Sequence, residues 1–302
     1  MKTKTKKPAA INCLSLKDRM RSYLRHPFSF ICMLLVLLGA LLTVGVLFVL
    51  IFYILTNGIP YLKPELFSLT YNSENASMFP AIVNTITMTL LSLLIAVPFS
   101  IFTAIYLVEY AKRGNKLVSV IRTTAETLSG IPSIVYGLFG MLFFVTALGW
   151  GPSLLAGAMT LSIMILPLIM RSTEEALRAV PDSYREGSFG LGAGRLRTVF
   201  RVILPPAMPG ILAGIILAVG RIVGETAALL YTSGTMAKIP DFAHDHIVMG
   251  SGRTLALHMY MLSGEGLHMK EANATAVVLL VVVLLINMLS SFIAKKLTKE
   301  KA

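Results

Sequence analysis

From Phe28 to Leu55, about 28 residues pass without one charged side chain, more than the roughly 20 that a helix needs to cross a hydrocarbon core ~30 Å thick. A cleaved signal peptide carries an apolar region of only about 7–15 residues before a small-residue cleavage site, and no such site follows here. The segment therefore reads as a retained transmembrane helix. The pattern then repeats. No charge occurs from Asn75 to Val108, nor from Thr127 to Met170, and Gly149-Trp150-Gly151-Pro152 splits the latter run with a turn signal. A fifth span starts near Pro205-Pro206 and runs to about Ser233, and a sixth covers Ala272–Ala294. With 55% hydrophobic and 14% charged residues, against roughly 25% charged in soluble chains, the soluble class is excluded. The expectation is an all-α integral membrane protein of six transmembrane helices.

The net charge of +12 would ordinarily suggest nucleic acid or an anionic surface. Its distribution argues otherwise. Of the 27 lysines and arginines, 22 fall on the two tails, the second-to-third connection and the fourth-to-fifth connection. Only Lys63, Lys238, Arg253 and Lys270 fall on the opposite side. That asymmetry puts both termini in the cytoplasm and removes nucleic-acid binding as a function. The resulting map has a basic cytoplasmic tail (1–27) and a first helix with its outer loop (28–75). A five-helix core (76–294) follows, with a cytoplasmic loop at 171–204 and an outer loop at 234–270, and then a short cytoplasmic tail (295–302). Cys13 and Cys32 offer no disulfide framework.

The cytoplasmic loop has internal structure. Pro181 punctuates it, and Ser183-x-x-Glu186 has capping-box spacing, predicting a helix from about Ser183 to Leu191 that stops at Gly192 or Gly194. Such a helix could merely fill a loop or could dock a partner. Gly190, Gly192 and Gly194 follow a helix rather than a strand, so they are not a dinucleotide loop, and no phosphate-cradling G-x-x-x-x-G-K-[ST] occurs anywhere. Glu186-Gly187-Ser188, three residues, Gly192, nine residues and Val202-Ile203-Leu204-Pro205 together resemble the EAA motif of ABC-transporter permeases. Gly187 and Ser188 replace the two alanines of that motif, and Val202 replaces its isoleucine. The resemblance implies a coupling helix seated in a cleft of a separate ATPase subunit, with Glu186, Gly187, Ser188, Gly192, Leu204 and Pro205 as the coupling residues.

Arg221 and Glu225 are the only charges well inside a predicted span. An arginine at mid-membrane costs at least ~2.5–3.5 kcal/mol, so it faces protein or water. Counting from Pro206 at ~1.5 Å per residue, Arg221 lies ~22 Å into the helix. At ~100° per residue, Gly210, Ala213, Gly214, Leu217, Arg221, Gly224, Glu225 and Ala228 share one stripe, assigned to the bundle because small residues mark helix packing. Leu212, Ile215, Val219, Ile222, Val223 and Leu230 lie opposite and are assigned to lipid. Arg221 and Glu225 either line a transport path or neutralise each other. A deep cation suits an anionic substrate but does not name it. Pro98 and Pro132 interrupt spans and are candidate hinges, or static kinks.

Three further runs, Ala104–Tyr110, Gly130–Gly137 and Gly220–Ala228, look like bacterial phosphate-transporter permeases. Gly224–Gly234 resembles the PstA-type subunit more than its PstC-type partner. The similarity covers roughly residues 76–294. It implies the type I ABC-importer permease fold in a bacterial inner membrane, with phosphate translocation by alternating access and with Arg221 and Glu225 in the family's intramembrane Arg and Glu positions. Implied partners are two ATPase subunits, a PstC-like second permease, and an extracytoplasmic phosphate-binding protein that docks on the outer loop. Two alternatives stand beside this: a permease for molybdate, sulfate or phosphonate, and an ATP-independent secondary transporter or channel. An enzyme is disfavoured because all five histidines lie outside the spans, leaving Ser129 and Ser133 without a local base. Asp241, His244, Asp245 and His246 read as a solvated loop rather than a metal site, and no cofactor is implied.

Overall fold

A computed structural model describes residues 27–112, 114–240, 248–266 and 268–299. The N-terminal basic tail, Arg113, the Asp241–His246 group and the last three residues lie outside them. Every regular element described is helical. These are α1 (Pro27–Gly58), α2 (Phe79–Tyr110), α3 (Lys116–Ser129), α4 (Ser133–Ala147) and α5 (Leu154–Arg178). They continue as α6 (Asp182–Gly190), α7 (Arg195–Val223), α8 (Ala227–Thr232), α9 (Leu255–Glu265) and α10 (Met269–Lys299). Helices α1, α2, α5, α7 and α10 are long and apolar enough to cross a membrane, and the bent pair α3–α4 makes a sixth span if counted as one. By contacts the chain divides after Thr56 into two units, and all that follows concerns the second.

Four boundaries differ from expectation, one of them the end of the fifth span, where α7 stops at Val223 rather than near Ser233. The third span is not one rod from Thr127: α3 and α4 meet at 105° across Gly130-Ile131-Pro132. A residue before proline avoids helical backbone, so Ile131 cannot continue α3, and Pro132 begins the next helix with its fixed φ. Helix α5 runs on past Met170 to Arg178, and α7 starts at Arg195 rather than near Pro205. Charged residues mark where helices leave hydrocarbon, not where they end. Pro98, by contrast, sits inside α2 without breaking it.

The core is α2, α5 and α7. The Ser92 hydroxyl donates to the Ala158 carbonyl at 3.3 Å, Ser162 to Ser92 at 3.1 Å, and Ser100 to Leu166 at 3.1 Å, three polar ties between α2 and α5. Such bonds contribute about 0.6 kcal/mol each within a membrane. Met88, Leu161, Ile165, Ala218 and Ile222 fill the space between the three helices. Helices α5 and α7 touch at Gly214, where an added Cβ would lie 2.4 Å from the Ser172 Cβ, and one turn earlier at Gly210, against Ala176.

The end of the bundle away from the basic loops is closed by the segment leading into α9. Asn84 on α2 donates to the Lys238 and Arg253 carbonyls at 3.0 and 3.2 Å, and the Leu255 N–H donates to Thr85 at 2.8 Å. Beneath this lid Arg253 is buried with its guanidinium 4.4 Å from the Tyr71 ring centre. His258 on α9 is fully buried, and neither ring nitrogen has a hydrogen-bond partner. Burial, reinforced by the Arg253 charge, pulls its pKa down to about 3; the Ala76 backbone opposes this but is out of hydrogen-bonding geometry.

Two tests follow. Gly214→Leu should lower the melting temperature of the purified permease sharply, and Gly214→Ala should cost about 1–3 kcal/mol, because backbone at that crossing cannot move aside. His258 stays neutral when folded but takes a proton when unfolded below about pH 6.5. Its stabilisation is therefore complete above that pH and is lost as pH falls towards 3, by about 2 kcal/mol at pH ~5. In thermal melts at both pH values, His258→Gln should flatten that dependence.

Candidate translocation site and coupling helix

Helix α7 ends at Val223, and Gly224, Glu225 and Thr226 form a break before α8. Arg221 therefore occupies the last turn of α7, where the carbonyl end of the helix favours a cation. Glu225 is 9% exposed and sits in the break, where its Oε1 accepts the Ala228 N–H at 3.1 Å. That bond satisfies a free donor at the start of α8. The expected alternative of a helical ion pair is not realised: Glu225 is committed to α8, and Arg221 has no hydrogen bond or ion pair among the described residues.

Arg221 instead lines a cavity of about 340 Å³ bounded by α3, α5 and α7. Three other arginines reach its walls, and three carboxylates, Glu126, Glu174 and Glu175, line it beside them. Glu174, largely buried on α5, receives Arg122 from α3 at 2.6 Å and Arg178 at 2.5 Å, and Arg171 meets Glu175 at 3.3 Å. Among the described residues, Arg221 is the one cavity arginine without such a partner. Glu174 and Arg122 were not singled out from sequence, because charges near a span end read as loop.

The two faces assigned to α7 are not separated in the structure, and residues of both are buried. Val219, Ile222 and Val223 are buried within this chain, Ile215 packs on the core, and Leu217 is exposed. Gly210 and Gly214 do pack on α5 as expected, but bulk did not mark lipid. In hydrocarbon, large apolar side chains gain as much by filling an interior as by facing acyl chains, so size alone cannot assign a face.

The helix in the basic loop exists as α6, one residue earlier than expected. Its capping box does not form: Pro181 holds the N-cap position, without a side-chain cap bond. Gly192 ends the helix at φ +79, a conformation that favours glycine. The EAA-like residues separate into distinct roles. Glu186 and Gly187 are exposed, Ser188 is buried with its hydroxyl 2.8 Å from Thr198, and Leu204 and Pro205 already belong to α7. Tyr184, Gly187, Leu191 and Gly192 border a surface groove, and Leu191 is 91% exposed. Arg185, which sequence reasoning passed over, points inward and holds Glu109; that hydrogen bonding pushes its pKa up from the ordinary guanidinium value. Among the described residues no cluster of His, Cys, Asp or Glu could hold a metal.

Residues 96–301 match the binding-protein-dependent transport system inner membrane component, and the chain belongs to that family. It is thus a multi-pass inner-membrane permease of a bacterial ABC importer, a non-catalytic subunit of a kind that pairs with ATPase subunits and binding proteins. It is 36% identical over 264 residues to the probable ABC transporter permease protein YqgI of Bacillus subtilis, covering 82% of this chain and 89% of that one. It is 33% identical to the phosphate transport system permease protein PstA 1 of Mycobacterium tuberculosis, covering 74% and 72%. A bacterial alginate ABC transporter, crystallised with its pentasaccharide-bound periplasmic protein, shares the fold with a TM-score of 0.67 at 16% identity, over 92% of this chain and 99% of that one.

Proposed function

We propose that this chain is a permease subunit of an ATP-driven importer of inorganic phosphate, working by alternating access. The observation that carries the reading is the unpaired Arg221 in a cavity whose other arginines are neutralised. A planar guanidinium meets phosphate oxygens with two parallel hydrogen bonds. The paired arginines keep the walls polar without adding net attraction, so a bound anion can leave. Glu225, spent on α8, fixes the backbone that follows Arg221. The PstA-type relative supports phosphate over other anions. Molybdate, sulfate or phosphonate would suit the same cation, and the ligand of the cognate binding protein separates these cases.

The proposed complex contains two ATPase subunits, a PstC-like second permease and an extracytoplasmic phosphate-binding protein. Helix α6, on the side that the basic residues mark as cytoplasmic, would seat in the ATPase through Glu186, Gly187 and the exposed Leu191. An ATP-independent transporter predicts no need for this helix, so that Glu186 and Gly192 substitutions would leave its transport unharmed. The Gly130–Pro132 bend would serve as a hinge between α3 and α4, whereas Pro98, within continuous α2, would be a static kink.

Co-purification from native membranes in mild detergent should recover an ATPase and a second permease, whereas isolation of this chain alone in a preparation that still transports would overturn the reading. Arg221→Gln should cut phosphate uptake by about 10–100-fold with assembly intact, and Arg221→Lys should fall between that and wild type. Leu191→Asp and Gly192→Val should reduce ATPase recovery by about 10–100-fold at unchanged permease level, in keeping with the ~1.5–3 kcal/mol of a buried leucine.

A further inference from the structure

One guanidinium fastens α6 to two spanning helices. The Arg185 side chain is only 16% exposed, and that of Glu109 only 7%. Arg185 Nη2 donates to Glu109 Oε1 at 2.7 Å, and Nε donates to the same oxygen at 3.1 Å. Glu109 lies in the wide final turn of α2, the π-helical segment Tyr106–Tyr110. The second Nη2 hydrogen reaches the Leu177 carbonyl in the last turn of α5 at 2.9 Å. Nη1 donates to the Val180 carbonyl at 2.9 Å and to Asp182 at 3.1 Å. All five guanidinium N–H donors are therefore in use, which a lysine with three donors on one nitrogen could not reproduce.

What lies beyond these bonds gives them a direction. Glu174 sits one turn before Leu177 on α5, lines the Arg221 cavity, and holds Arg122 on α3 at 2.6 Å. A continuous chain of charge-assisted bonds and rigid helix thus runs from α6 through Arg185 to the last turn of α5, and from there to the cavity wall. The Glu109 branch reaches α2 at its π-helical turn, a departure from regular helix that often marks a functional site. A helix that only filled a loop would need the Ser188–Thr198 contact and its glycine stop, not a buried ion pair spanning 76 residues of sequence.

We infer that Arg185 is the positioning residue that transmits displacement of α6 to α2 and α5, and through Glu174 to the cavity holding Arg221. This rests on reading α6 as the ATPase contact. When α6 is pushed, neither α2 nor the end of α5 can stay behind without breaking charge-assisted bonds between largely buried side chains. ATPase closure and cavity shape are thereby coupled.

The test uses the complete complex in proteoliposomes with the cognate binding protein and inorganic phosphate. It reads phosphate transported per ATP hydrolysed, alongside cross-linking of the conservative Ser183→Cys, exposed on the same helix, to the ATPase. Arg185→Ala and the isosteric Glu109→Gln should keep the cross-link and the ATP hydrolysis but lower the transport-to-hydrolysis ratio about tenfold, within the usual range of coupling between sites. Arg185→Lys should recover only part of it. An unchanged ratio with the cross-link intact overturns the proposal alone. Uptake that falls only in proportion to lost complex, in Glu109→Gln as in Arg185→Ala, makes Arg185 a static anchor and also overturns it. Absence of the cross-link in an actively transporting complex with wild-type Arg185 would remove the α6 reading, and this proposal with it.

Discussion

A backbone in hydrocarbon has no water to bond, so every N–H and C=O within the membrane must find its partner inside the protein. This constraint makes the chain helical throughout its described spans and dictates where a helix can be interrupted. The two breaks in apolar sequence, at Gly130–Pro132 and Gly224–Thr226, both carry local solutions. Tyr136 donates to the Leu128 carbonyl at 2.6 Å across the first, and Glu225 accepts the Ala228 N–H in the second. Helix association meets the same constraint through small residues and hydroxyls. Gly214 lets α5 and α7 approach closely, and serines supply acceptors and donors between α2 and α5.

Charge at the basic end of the bundle is organised by pairing. Glu174 is shared between Arg122 and Arg178, Glu109 pairs with Arg185, and Arg221 is left open to its cavity. A buried ion pair contributes little net stability, because desolvation offsets its attraction. Its effect here is geometric. Arg122–Glu174 joins α3 to α5 and Arg185–Glu109 joins α6 to α2, each at a defined point. The two proposals, for Arg221 as a phosphate contact and Arg185 as the coupling strut, rest on opposite halves of this pattern. One uses the arginine without a partner, and the other uses the arginine with every donor engaged.

How far the sequence could be read depended on the range of the physics involved. Span number and the basic asymmetry need only apolar run lengths and charge counts, and they were legible. The existence of α6 was legible too, because Pro181 and Gly192 are local signals. Its capping box failed because Ser183 lies two positions past the N-cap, which Pro181 already holds. Pro132 marked an interruption of the third span in the sequence, but an apolar run across Gly130-Ile131-Pro132 does not give the size of the turn, 105°. The faces of α7 were misassigned because size does not distinguish protein from lipid as a neighbour. Arg185 and Glu174 were passed over because nothing local separates a buried arginine in a basic loop from a solvated one.

By itself, then, the amino-acid sequence determined the solvent, the helical class and the asymmetry of charge, since these follow from the cost of placing polar groups in hydrocarbon one residue at a time. Only the tertiary structure decided that Glu225 turns to α8 and leaves Arg221 unpaired, and that Arg185 reaches Glu109 across 76 residues. Those outcomes depend on which helices meet and at what angle. A partner distant in sequence has no local signature, and an ion pair is specified only when packing has brought both charges to the same buried point.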